Sequence, residues 1–308
     1  MMRYLTAISI CVLQAMMVMS LPASIPFQKT DINILQRNKR SAEGYIGCMH
    51  MTSFPGSLQY ISDGTLDTCG LYVIGEPDQI IEITFLDFDV KCETGGLVAV
   101  FDGWELQNEL FPSVYDHPHD LTERYKMYCG ENGPKMFLSN QNVALIQFRI
   151  PQPGEGFRVM VDFKHNLQPC NAVEMFQEGI VTMKNYGMRR NCTTVIIFPE
   201  KVNLLNVDVG VTSQTKHFEE EVGLTDKCMN VGGGDYLQIM DGIGLDPSMM
   251  ITKDIVCGSN SNNANNPTYI LGCQNSAVRM VSSGDYHNTV TFMYSPPTVD
   301  DISEQDMC

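Results

Sequence analysis

Basic residues are scarce in this 308-residue chain: 20 Lys and Arg stand against 36 Asp and Glu. Residues 1–40 carry Arg3, Lys29, Arg37, Lys39 and Arg40 but only Asp31. The chain beyond them therefore holds 15 basic and 35 acidic residues, a formal charge of −20. A surface so acidic disfavours nucleic acid and anionic membranes as partners. Past the N-terminus no stretch approaches the roughly 18 consecutive apolar residues of a membrane span. The chain also lacks an H-E-x-x-H helix, a G-x-S-x-G elbow and a G-x-x-x-x-G-K phosphate loop, so the residues point away from an enzyme. Tryptophan occurs once, at Trp104.

The N-terminus supplies the one long apolar run. Arg3 is followed by Tyr4 to Met19 and then by small residues around Ser20 to Ser24, the form of a secretory signal peptide ending between 20 and 24. Residues 21–43 read as a disordered pro-segment. Its "RNKR", ending at Arg40, is either a convertase processing site or a solvated charged stretch. Cysteine usage agrees with export to the extracellular space. Cys11 falls in the leader, and ten cysteines remain, an even number for a secreted chain.

Those cysteines fall into two similar sets. Cys48, Cys69 and Cys92 precede "FDG" (101–103), "CG" (129–130) and "QNVALI" (141–146). Cys170, Cys192 and Cys228 precede "MDG" (240–242), "CG" (257–258) and "QNSAVR" (274–279). The phrase "GGLVAVFDGW" (95–104) is echoed by "GGDYLQIMDGIG" (233–244), so the fold unit is written twice. The two Asp-Gly pairs, Asp102-Gly103 and Asp241-Gly242, read as hairpin turns ending equivalent strands. Periodicity is that of strands. "GFRVMVDFK" alternates Phe157, Val159, Val161 and Phe163 with Arg158, Met160, Asp162 and Lys164, and "NTVTFMY" does the same with Val290, Phe292 and Tyr294. "IIEITFLDFDV" changes parity after Phe85, which predicts a bulge or a change of partner.

The expected architecture is all-β: two tandem sandwiches over 44–165 and 166–295, with a tail over 296–308. Spacing alone allows many disulfide connectivities. If each unit folds alone, neighbour pairing is the simplest: Cys48–Cys69, Cys92–Cys129, Cys170–Cys192 and Cys228–Cys257, with Cys273–Cys308 tying the tail.

Each half resembles a CUB domain, a jelly-roll sandwich with the pattern Cys, Asp-Tyr-Leu-x-Ile-x-Asp-Gly, Cys-Gly and a closing Gly-Phe strand. The stretches "VFDGWEL", "FPSVYDHP", "ERYKMYC", "QNVALIQFR", "PGEGF", "PCN", "RNCT", "GLDPS" and "VRMVSSG", in that order, are similar to the corticotropin-releasing factor-binding protein family. The resemblance implies five neighbour-paired disulfides and a secreted glycoprotein. It also implies sequestration of a corticotropin-releasing-factor-like peptide of the diuretic-hormone type, which limits the free concentration of that peptide. An amphipathic basic ligand calls for an apolar groove edged by carboxylates, and the acidic charge would steer it there. Two other readings are an extracellular CUB adaptor bridging larger partners and a calcium-dependent ligand binder.

Candidate sites follow. Trp104, Phe111 and Tyr115 are aromatic candidates for peptide contact. His50, beside Cys48, lies in a segment that the resemblance implicates, although His50 and Gly44 stand where vertebrate-type members carry charged residues. Asn191 heads the sequon Asn191-Cys192-Thr193, whereas Asn266 is excluded by Pro267. Asp235 matches one carboxylate of a CUB calcium site, but its counterpart in the first half is Gly96. Ser283 takes the place of the second acid and Asp285 is displaced, so no metal or other cofactor is expected. "DHPHD" (116–120) reads as a solvated turn.

Overall fold

The computed structural model describes residues 44–130, 133, 135–211, 228, 234–260, 267–298 and 301. The leader, Arg40, the acidic stretch 217–227 and Cys308 lie outside the described residues. The first half runs β1 (Gly44–Tyr45), β2 (Met49–Thr52), β3 (Gly56–Ile61), β4 (Cys69–Ile74), β5 (Gln79–Asp89), β6 (Leu97–Phe101), β7 (Trp104–Leu106), β8 (Glu109–Phe111), one helical turn α1 (Leu121–Arg124), β9 (Tyr125–Tyr128), β10 (Met136–Leu138), β11 (Val143–Arg149) and β12 (Gly156–His165). The second half runs β13 (Ala172–Glu174), β14 (Gly179–Lys184), β15 (Arg190–Ile196), β16 (Glu200–Val209), β17 (Tyr236–Gly242), β18 (Ile251–Val256), β19 (Gly258–Asn260), β20 (Thr268–Leu271), β21 (Asn275–Ser282) and β22 (Thr289–Ser295). The chain is all-β, two sandwiches in tandem.

The duplication seen in sequence is a duplication of topology. One sheet of the first sandwich has the order β2-β4-β11-β6-β9 and its equivalent has β13-β15-β21-β17-β18. Each opens with a parallel pair, β2 with β4 and β13 with β15. The companion sheets are β1-β3-β12-β5-β10 and β14-β22-β16-β19, with β20 also beside β16. The parity change after Phe85 is a β-bulge. Phe85 sits opposite Val159 and Asp87 opposite Arg158, which leaves Leu86 as the extra residue. The second copy has a bulge at the matching place, between Leu204 and Asn206.

Strand patterning shows which sheets are covered once and which twice. In β12 the alternate residues Phe157, Val159 and Val161 are buried and the residues between face outward. In β11 Val143, Ala144, Leu145 and Ile146 are all fully buried, as expected of a strand covered on both faces. Ala144 and Ile146 point into the first sandwich with Leu71, Val73 and Val100. Val143 and Leu145 instead join Ile74 and Phe101 against Val173, Val195, Met240 and Ala277 of the second half. The β11 and β21 sheets thus lie back to back, and the two sandwiches share an apolar layer besides their own cores.

Four disulfides staple the described residues: Cys48–Cys69, Cys92–Cys129, Cys170–Cys192 and Cys228–Cys257. Cys273 is disulfide-bonded as well.

Candidate functional site

Where β6 ends, Asp102 is buried and organises three segments. Its carboxylate accepts from Asn140 N at 2.9 Å, Asn140 Nδ2 at 2.5 Å and Gln141 Nε2 at 2.7 Å. His117 Nε2 lies 3.1 Å from it, while His117 Nδ1 accepts from the His119 N–H. With Nδ1 used as an acceptor, the imidazole proton belongs on Nε2 and donates to Asp102. Burial alone would raise the Asp102 pKa, but the His117 and Asn140 bonds outweigh it and hold the carboxyl below its ordinary value.

The expected hairpin at Asp102-Gly103 is therefore a corner between β6 and β7. The reversal comes at Gln107 and Asn108, with φ of 54° and 67°, the backbone of a two-residue primed turn between β7 and β8. In the second copy Asp241 and Gly242 end β17 itself. The corner needs its glycine, since Gly103 has φ 134° and a Cβ there would strike the Phe111 carbonyl.

The β7–β8 ribbon packs into the layer between the sandwiches and takes two aromatic candidates with it. Trp104 and Phe111 are cross-strand partners, 4% and 0% exposed. The indole N–H donates to Val73 O and Ala144 O, each at 3.2 Å. Both rings are core, and neither offers a face to a ligand. Tyr115 is 70% exposed. His50 is half-buried in β2, and burial lowers its pKa.

The 116–120 loop is solvated only over Pro118, His119 and Asp120. Asp116 and His117 are buried, and Asp116 reaches the second sandwich. Arg279 Nη2 and Nε donate to its Oδ1 at 2.6 and 2.9 Å, and Nε also reaches Oδ2 at 3.0 Å. Thr193 Oγ1 donates to Oδ2 at 2.7 Å, and Asn171 Nδ2 donates to the Asp116 carbonyl. A short loop hides these charges because domain packing desolvates them, and the carboxylate's partners come from β15 and β21.

Two further staples cross the junction. Asn142 behaves like a stub of strand: its amide accepts from Val173 N at 2.9 Å and donates to Val173 O at 2.8 Å. Glu109 accepts from Asp246 N at 3.1 Å, and a Cβ on Gly244 would collide with the Glu109 carboxylate. Asn142 carried a sequence signal, because the "QN" pair recurs at Gln274-Asn275. Asn275 Nδ2 donates to the Ile243 and Gly244 carbonyls within its own half.

The sequon residues sit in the same junction. Asn191 Nδ2 donates to Tyr115 O at 2.9 Å, Cys192 is bridged to Cys170, and Thr193 is wholly buried. Asp235 accepts from Ser283 N and Asn288 Nδ2, each at 2.7 Å, while Asp285 is exposed. With an amide donor pointed at its carboxylate, Asp235 does not fit a calcium site, which wants several oxygen ligands. Among the described residues no group of three or more His, Cys, Asp or Glu is arranged to hold a metal ion.

A cleft of about 460 Å³ opens beside the junction. Its rim carries Glu76 and Asp78, from the loop before β5, and Glu178; its walls include Phe176 and Ile180. Glu174, 5% exposed, stands at its base. Burial raises the Glu174 pKa to about 7, against the opposing hydrogen bond from Tyr294 and with the nearby Glu76 adding to the rise. An apolar hollow bounded by carboxylates suits a cationic side chain on an apolar segment.

Comparison with known proteins gives a consistent result. Residues 40–165 match the family model described as corticotropin-releasing factor binding protein N-terminal domain, and residues 173–303 match its C-terminal counterpart. A corticotropin-releasing factor-binding protein of Xenopus laevis is 37% identical over 251 residues, covering 80% of this chain and 75% of that one. A protein of the same description from Homo sapiens is 34% identical over 250 residues, covering 80% and 74%. Among solved structures, the CUB1-EGF-CUB2 domains of rat MASP-1 align with 82% of this chain and 100% of that one, at 11% identity and a TM-score of 0.27.

Proposed function

The chain belongs to the corticotropin-releasing factor-binding protein family, and from that premise we propose that it is a secreted protein that binds a corticotropin-releasing-factor-like peptide and limits its free concentration. The observation that carries this reading is the match of both family domains, in order, across 40–165 and 173–303. The mechanism is mass action. Protein in excess of the dissociation constant holds most of the peptide in the complex, and no bond is made or broken. Two stapled sandwiches sharing one apolar layer form a preorganised surface, so little ordering free energy is lost on binding.

Export belongs to the same reading: a leader ending between 20 and 24, processing after Arg40, and a glycan on Asn191. In the folded chain Thr193 is buried and bonded to Asp116. A transferase must therefore read the sequon before the two halves dock. Asn191 linked through Nδ2 keeps one N–H for Tyr115 O.

Calorimetric titration of the purified mature protein with an amidated peptide of this hormone class tests the reading. Saturable heat at micromolar concentration is expected. Folded protein that gives none overturns it.

A further inference from the structure

Among the described residues the second sandwich is open along one side. There β13 and β14 are the terminal strands of its two sheets, and the cleft runs between them. β14 hydrogen-bonds to β22 on one flank. Its other flank borders the cleft, which is lined by every residue from Gly179 to Met183. A free strand edge presents a row of N–H and C=O groups, and proteins usually blunt one with Lys, Pro or a bulge. β14 ends in the exposed Lys184, outside the cleft, but the stretch "GIVTM" (179–183) that lines it has no Lys or Pro, and β14 pairs with β22 without a register break. Ile180 is 65% exposed and Phe176 47%. Among the described residues, the charged ones lining the cleft are Glu76, Asp78, Glu174 and Glu178, with no Lys or Arg.

Backbone, apolar wall and charge thus converge on one kind of occupant. We propose that an extended basic segment of the bound peptide adds to the free edge of β14, with a Lys or Arg side chain set against Glu174. This rests on the peptide-binding reading above and says where the ligand sits. Main-chain pairing to β14 supplies affinity that depends little on ligand sequence, as in other strand additions. The Glu174 carboxylate, buried and partly desolvated, supplies selectivity for a cation. Glu76 and Glu178 at the rim add attraction that salt screens. A helical remainder of the peptide is compatible with this, since the cleft accommodates only a short run of chain.

The test uses the full mature protein and the amidated peptide of the calorimetric experiment. Hydrogen exchange followed by mass spectrometry should show slowed exchange over 178–184 in the complex. Glu174→Gln, which keeps the side-chain shape, should weaken binding about tenfold, roughly 1.4 kcal/mol. Ile180→Lys should weaken it comparably by placing a cation in the acidic cleft. Ile180 is largely exposed, so that variant keeps its fold. If wild type binds while exchange over 178–184 is unchanged and both variants bind normally, the site assignment is overturned and the family reading stands. If folded wild type does not bind, both fall.

Discussion

Glu200 is wholly buried at the start of β16, and among the described residues neither of its carboxyl oxygens has a hydrogen-bond partner. Burial raises its pKa from 4.5 to about 8, so the folded chain holds it protonated at neutral pH. The unfolded chain loses that proton once pH passes about 4.5. Between there and about 8 the unfolded state binds fewer protons than the folded one, and stability falls as pH rises. Urea unfolding from pH 5 to 8 should show this decline in the wild type and a flatter profile in Glu200→Gln. Equal slopes would mean that Glu200 ionises freely in the fold. Asp116 differs from Glu200 in having partners: its buried carboxyl group is bonded by Arg279 and Thr193. Its side chain is 0% exposed and that of Arg279 15%. Removing one partner strands the other, so Asp116→Ala should cost about 3–5 kcal/mol of unfolding free energy. A cost under about 1 kcal/mol would place the pair effectively in solvent.

At the scale of elements, the β7–β8 ribbon decides where the aromatic residues go. Its turn puts Gln107 and Asn108 at positive φ, where an L-residue other than Gly pays about 1–2 kcal/mol. Asn tolerates this better than Gln. Asn108→Gly should therefore stabilise the protein, by roughly 0.5–1 kcal/mol, read as a higher denaturant midpoint with unchanged slope. A lower midpoint would show that the Asn108 side chain contributes more than its backbone costs. The two bulges, at Leu86 and between Leu204 and Asn206, occupy equivalent strands. The first was legible as a parity change in "IIEITFLDFDV". The second, in "EKVNLLNVDV", was harder to read because Leu204 and Leu205 are adjacent apolar residues and blur the alternation.

For the whole molecule, the layer between the sandwiches is the main determinant. Trp104, Phe101, Phe111, Leu145, Val195 and Met240 are among its buried members. At roughly 1.5–3 kcal/mol for each such side chain, a few of them match the roughly 5–15 kcal/mol that stabilises a typical domain. Splitting the halves would forfeit that contribution and bare an apolar face. The halves should therefore unfold together in one calorimetric transition, coincident with the red shift of the single tryptophan. Two resolved transitions would refute a shared core. The same layer makes Trp104 a reporter of the junction.

The amino-acid sequence by itself determined the β class, the doubling of the unit, the family and the strand faces in β12 and β22. Each of these is carried by local periodicity or by residues in fixed order, which survive without knowledge of neighbours. Tertiary structure decided what the polar residues do. "DHPHD" looks like a turn in one dimension, and only docking against Arg279 and Thr193 makes Asp116 a buried clamp. Asp102 looks like a turn former, and only the approach of His117, Asn140 and Gln141 makes it an organising acid. The cleft was least legible of all: Glu76 and Glu174 are almost a hundred positions apart in the chain, and they line one cleft only because the two halves pack together. Burial and hydrogen-bond partnership depend on distances across the fold, and no local pattern encodes them.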